Sequence, residues 1–274
     1  MKKHLSTVIL ILVFVTGLSL LLYPTVSDYW NSFHQSQAIA TYAGEVAALD
    51  DDDYDELWAA AEAYNQRLAR RGNPLMQSEE DLAEYEALLN IAGSGVMGYI
   101  EIPELKVSLP IYHGVDEGVL QIAVGHIPGT SLPTGGKGTH SILSGHRGLP
   151  SAKLFTNLDQ MREGDTFMLR ILDETLTYEV DQILIVEPHE VAALSIDPDE
   201  DYCTLVTCTP YGINTHRLLV RGHRVENQAE AQAVRVTADA MQIEPVIVAP
   251  VVAAPMLLCL MLWVLLRNPK KKKR

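Results

Sequence analysis

TLVTCTPYGINTHRLLVRG, residues 204–222, alternates β-branched and apolar residues up to a cysteine, breaks at Pro210 and Gly212, and resumes an apolar run at His216. Such runs on either side of Pro and Gly turn signals read as a strand, a loop and a returning strand. Paired as a hairpin, they bring Arg217 within reach of Cys208, while Arg221 and Arg224 are carried away along the second strand. The same texture extends backwards from this hairpin. From Tyr99 to Val225 the segments GYIEIP, VSLPIYHG, HSILSGH, TFMLRIL and TLTYEVDQILIV are separated by Gly, Pro and Asp turns. Many short strands at close spacing predict an all-β barrel or sandwich.

Ahead of the strands the period changes. Leu57, Trp58, Ala61, Tyr64 and Leu68 recur at three- and four-residue steps, predicting a helical stalk over residues 37–71. RGNP (residues 71–74) ends it, and SEEDLAEYEALLN starts a second helix with Ser78 as N-cap and Asp81 three residues on. The acidic run DDDDYDE (residues 50–56) lacks the glycine and distal glutamate of an EF-hand loop and reads as a solvated segment.

A chain of 274 residues holds one sizeable domain plus appendages. The appendages are apolar: residues 5–22 and 246–266 carry no charge, and each is long enough for a bilayer core of about 30 Å, which takes roughly 20 helical residues. No small-x-small cleavage pattern follows the first segment, so it reads as an uncleaved anchor. Eight of the 21 Lys and Arg stand at the two tips, leaving the portion between the segments more acidic than the whole chain at −14. Basic flanks place both termini in the cytoplasm and the acidic domain outside. Such a field repels polyanions, which excludes nucleic acid as a partner. No cluster has metal-ligand spacing.

Of the three cysteines, Cys259 lies in the second apolar segment. Cys203 and Cys208 are five apart, so in a strand they point to opposite faces and do not bridge. Cys208 is then a free thiol, and its chemistry depends on a neighbouring base and cation. His146, in LSGHRG, and His126, in AVGHIPG, both sit at strand ends before glycine turns and compete for the base. His113, His140, His216 and His223 fall in or at the ends of strands, where structural hydrogen bonding is expected. Arg217 is either the cation or a surface strand residue.

These segments together resemble the class C sortases, the pilin-polymerising branch of that family. TLVTC matches the T-L-x-T-C signature, TCTPYGINTHRLLVRG continues through the arginine, and GVMGYIEIP, LPIYHG, GHIPGTSLPTGG and SGHRGLPSAKLFTNLD are similar to the catalytic domain over residues 95–224. The resemblance implies an eight-stranded β-barrel, with Cys208 as nucleophile, His146 as acid/base and Arg217 as the cation at the transition state. His126 becomes a structural residue and Cys203 a packed one. No cofactor is implied.

The implied layout is a cytoplasmic tip (1–4), a membrane anchor (5–22), a helical stalk and lid-like segment (23–94), the barrel (95–225), a linker (226–242), a second membrane segment (243–266) and a basic cytoplasmic tail (267–274). The implied partners are pilin or surface proteins bearing an LPxTG-type sorting signal. Attachment of single proteins to cell-wall peptide and a non-catalytic adhesion or scaffold role stand as alternatives. One departure concerns the lid, which in class C sortases carries an Asp-Pro-aromatic triplet. RGNPLMQSEEDLAEYEALLN has neither that aspartate nor that aromatic, so Leu75 or Met76 would have to plug the groove, and a weakened or missing lid is expected.

Overall fold

The computed structural model describes residues 2–70, 78–91 and 93–227. The lid candidates Leu75 and Met76, most of the 226–242 linker, the second apolar segment and the basic tail lie outside the described residues.

Three helices precede the strands: α1 (Lys2–Val46), α2 (Asp51–Ala69) and α3 (Glu79–Ala87). The strands are β1 (Val96–Ile102), β2 (Val107–His113), β3 (Val124–His126), β4 (Thr139–Ser144), β5 (Thr166–Ile171), β6 (Glu174–Val186), β7 (Asp201–Thr209) and β8 (His216–Val225). They close into a barrel in the order β1-β2-β3-β4-β7-β8-β6-β5. Closure leaves no unpaired sheet edge. The expected eight-stranded barrel is therefore present.

Inward residues of successive strands fill the barrel. Ile100, Ile102, Ile111, Val124, Leu143, Phe167, Leu169, Leu205 and Val220 belong to one buried cluster. Each such side chain, removed from water, stabilises the fold by about 1.5–3 kcal/mol. Gly222 sits where Phe167 and Tyr178 cross β8: a Cβ there would lie 2.8 Å from the Phe167 ring. A side chain on this residue would force the two stacked rings apart.

The stalk departs from expectation in one respect. A single helix was expected over residues 37–71, but α1 runs on from the apolar segment to Val46, and a new helix starts at Asp51. The cause is local. The Asp50 side chain accepts a hydrogen bond from the Asp53 amide at 2.8 Å, and Asp51, Asp52 and Asp53 fill the first turn of α2. An N-cap and three carboxylates at the positive end of a helix outweigh the apolar period running through the junction. The acidic run thus begins a helix while staying exposed to solvent.

The periodic face of α2 packs as its spacing requires, with Ala61, Tyr64 and Leu68 in the core cluster and Leu57 and Trp58 partly buried against it. Asn65, on the same face, replaces apolar contact by a two-way bond: its Nδ2 donates to the Leu132 carbonyl at 2.9 Å and its Oδ1 accepts from the Leu132 amide at 2.7 Å. The capping box expected at α3 is formed, with Ser78 Oγ accepting from the Asp81 amide and Asp81 accepting from the Ser78 amide. Tyr85 then fastens α3 to the barrel. It is fully buried, accepts from the Gly114 amide at 3.0 Å and lies against the rings of His113 and His126.

Candidate active site

Cys208 stands near the C-terminal end of β7, and the register of the barrel decides what surrounds it. β7 and β8 pair antiparallel with Cys208 directly opposite Arg217. Directly opposed residues in such a pair have Cβ atoms about 4.5–5.5 Å apart. On its other side β7 runs parallel to β4, with Ile142 opposite Thr204 and Ser144 opposite Val206. The ladder continues one residue past β4, where the Gly145 amide donates to the Val206 carbonyl at 3.0 Å. His146 follows at once in the chain, two residues past the end of β4.

Alternation puts Cys208 and Arg217 on one face. Cys203 and Leu205 belong to the barrel interior, whereas Val206, Ile142 and Leu219 form a separate cluster outside it. Cys208, two residues beyond Val206, and Arg217, two residues before Leu219, share that outer face. Cys208, His146 and Arg217 are each partly exposed. The hairpin expected from residues 204–222 therefore forms, its loop opening through a cis Thr209–Pro210 peptide.

The threonines of TLVTC, left without a task by the sequence reading, hold this geometry. Thr207 Oγ1 donates to the Gly145 carbonyl at 2.7 Å, tying the residue before Cys208 to the residue before His146. Thr204 lies 2.7 Å from His140 Nε2, and His140 Nδ1 lies 2.9 Å from the Ser195 carbonyl. Burial pushes the His140 imidazole down to about 4, so the ring is neutral, donating from Nδ1 and accepting from Thr204 at Nε2.

Arg217 is free of ion pairs among the described residues. Its Nη1 donates to the backbone carbonyls of His216 at 3.2 Å and Asn214 at 3.4 Å. Its neighbours on β8 are engaged: Arg221 grips Asp181 through two bonds of 3.0 and 2.8 Å, and Arg224 lies 3.9 Å from Asp201. Of the three arginines, Arg221 and Arg224 face carboxylates, whereas the one opposite Cys208 meets only backbone carbonyls among the described residues.

The competing histidine is placed elsewhere. His126 is fully buried, with Nε2 2.8 Å from the Ser131 carbonyl and Nδ1 3.0 Å from the Tyr85 hydroxyl, and burial pushes it down to about 4. His113 faces two backbone carbonyls, those of Gly95 and Leu88. Cys203 has no exposed surface, and burial pushes its thiol well above the ordinary range, as suits a packed, unreactive cysteine.

A second cation escaped the sequence reading. Arg147, next to His146, bonds Asp159 at 2.5 Å, reaches Thr209 Oγ1 at 3.5 Å and lies 5.8 Å from the centre of the Tyr211 ring. It joins the segment after the histidine to the segment after the cysteine. Its spacing from Asp159 carried no recognisable signal.

Residues 100–225 match the Sortase domain family. The structure is similar to sortase C1 of Streptococcus agalactiae, 49% identical, over 70% of this chain and 100% of that one with a TM-score of 0.69. It is also similar to sortase C of Streptococcus pneumoniae, 42% identical over 70% of this chain and 98% of that one, TM-score 0.63. A third similar structure is that of Clostridium perfringens sortase C with the C-terminal cell wall sorting motif, 43% identical over 70% of this chain and 100% of that one, TM-score 0.62. A barrel that aligns along the full length of these proteins, at such identity, makes this chain a member of the sortase family of cysteine transpeptidases, with class C sortases as its structural neighbours.

Proposed function

We propose that the chain is a pilin-polymerising transpeptidase acting on an LPxTG-type sorting signal. The thiolate of Cys208 attacks the carbonyl between Thr and Gly, and a thioester forms as the glycine amine departs. His146, as imidazolium, gives that amine its proton, and Arg217 donates hydrogen bonds to the oxyanion that develops on the carbonyl. The ε-amine of a pilin lysine then attacks the thioester, leaving an isopeptide bond and the free thiol. The observation that carries this reading is the direct pairing of Cys208 with Arg217 in the β7–β8 ladder. Support for the substrate comes from two relatives. One was solved with the C-terminal cell wall sorting motif, and the other is described in terms of pilin substrate specificity.

Mixing the protein with a sorting-signal peptide is expected to give an acyl adduct on Cys208, visible by mass spectrometry as the peptide mass less its C-terminal fragment. Supplying a lysine-bearing pilin peptide and an oligoglycine amine together then separates the acceptors. Isopeptide product supports pilus polymerisation, amide product on glycine supports attachment to cell-wall peptide, and no adduct removes the enzymatic reading.

The membrane is the second proposed partner. Among the described residues one helix, within α1, is long and apolar enough to cross a bilayer. Next to it Tyr23, Tyr29, Trp30 and Phe33 are exposed, as are the aromatic residues that line bilayer interfaces. We place the catalytic domain outside the membrane and both termini in the cytoplasm, with residues 243–266 as the second span. In vesicles, a variant keeping only Trp30 (Trp58→Phe, Trp263→Phe) is expected to be quenched by lipids brominated near the headgroup, and one keeping only Trp58 is not. Equal quenching of the two would overturn the placement of α1.

A further inference from the structure

The helix carrying the apolar segment also touches the loop that carries His146. Residues 145–155 leave the end of β4, turn, and come back so that the Phe155 amide donates to the His146 carbonyl at 3.1 Å. Phe155 is buried under Gly145, where a Cβ would lie 2.7 Å from its ring. The inner side of the loop is thus locked to the barrel. Its outer side is locked to α1: Asn31 Nδ2 donates to the Ser151 carbonyl at 2.8 Å, and the Lys153 amide donates to Asp28 Oδ1 at 2.9 Å. The Lys153 ammonium lies 3.8 Å from the same carboxylate.

The loop's own sequence does not favour its shape. Leu154, between the clamped Lys153 and Phe155, has φ +33, a left-handed conformation that side-chain-bearing residues seldom adopt. Conformations of this kind persist where the surroundings over-determine them. Here the surroundings are the buried Ala152, Leu154 and Phe155 on one side and the two α1 side chains on the other.

We infer that Asp28 and Asn31 are positioning residues for His146: by pinning Ser151 and Lys153, α1 holds the histidine loop in register with Cys208. This rests on the sortase reading of Cys208 and His146. Other side chains of α1 reach other parts of the barrel: Gln35 the Ile122 carbonyl, and Tyr42 the Met97 carbonyl and Leu172 amide.

The test uses the full chain in phospholipid nanodiscs, with thioester formation on Cys208 as the readout. For Asp28→Ala/Asn31→Ala, losing two hydrogen bonds, one of them to a carboxylate, is expected to lower kcat about tenfold with KM within about twofold. Asp28→Asn, which keeps an acceptor for the Lys153 amide, is expected to retain the wild-type kcat, as a merely stabilising charge would not predict. Asn31→Ala alone, removing one half-buried bond, serves if the double variant does not fold, and a fall in kcat with KM unchanged is expected there too. Tyr42→Phe is the control, lowering the melting temperature by loosening α1 far from the loop while kcat stays in place. Wild-type kcat in the double variant, or an equal fall in Tyr42→Phe, would overturn the inference. Cys208→Ala separates the two levels: if it still turns peptide over, the sortase reading itself fails. If it is inert while the double variant is fully active, only the clamp fails.

Discussion

Arg217→Ala is expected to slow acylation of Cys208 by about 10²–10³-fold, the effect of removing one oxyanion donor from a preorganised site. The loss should fall on kcat, because the donor's bond strengthens only as charge moves onto the carbonyl oxygen. Stability is expected to change little. The guanidinium makes no ion pair among the described residues, and the carbonyls of Asn214 and His216 that it touches lie at a loop edge open to water. Arg217→Lys should recover only a small part of the rate, since an ammonium offers a point charge where the fork offers two parallel donors. Rapid-quench mass spectrometry of the adduct, with the melting temperature as control, measures both. A wild-type kcat in Arg217→Ala would take Arg217 out of the transition state and leave it as a surface residue of β8.

Acid is expected to unfold the barrel before it reaches the surface carboxylates, through His126 and His140. Burial holds both rings at about 4, below the ordinary 6.5, so both are neutral in the fold. The unfolded chain takes up these protons as the pH falls through 6.5, and the fold refuses them until about 4. Their stabilisation is therefore complete above 6.5 and is lost progressively between 6.5 and 4. Each contributes about 3 kcal/mol over that window. Denaturant unfolding of the protein at pH 7 and pH 4.5 checks the slope. His126→Gln and His140→Asn, which keep a donor towards the Ser131 and Ser195 carbonyls, should be less stable at pH 7 but flatter with pH. An unchanged slope in the double variant would mean that other groups carry the acid sensitivity.

The histidines also show where reading along the chain stops. His126 and His146 occupy near-identical local settings, a strand end before a glycine turn, and nothing in either segment separates them without the family resemblance. What separates them is depth. Tyr85, from a helix some forty residues away in the chain, lies against His126 and closes it off from water. Ser78 and Asp81, by contrast, were legible because a capping box is completed within four residues. The break at Asp50 was equally local, yet the apolar period running across it concealed the stronger signal of an N-cap followed by three acidic residues.

By itself the sequence determined most of the strands, the hairpin that sets Arg217 opposite Cys208, and the opposite faces taken by Cys203 and Cys208. Each of these is settled by neighbours a few residues away, through a period of two, a proline turn or a cap. Tertiary structure decided which of the two competing histidines is sealed in the core, what the threonines of TLVTC hold, and which helix braces the histidine loop. Those depend on β4 lying parallel to β7 and on α1 lying across residues 151–153. Contacts between segments so far apart come from burying a shared core, and their partners leave no mark in local spacing.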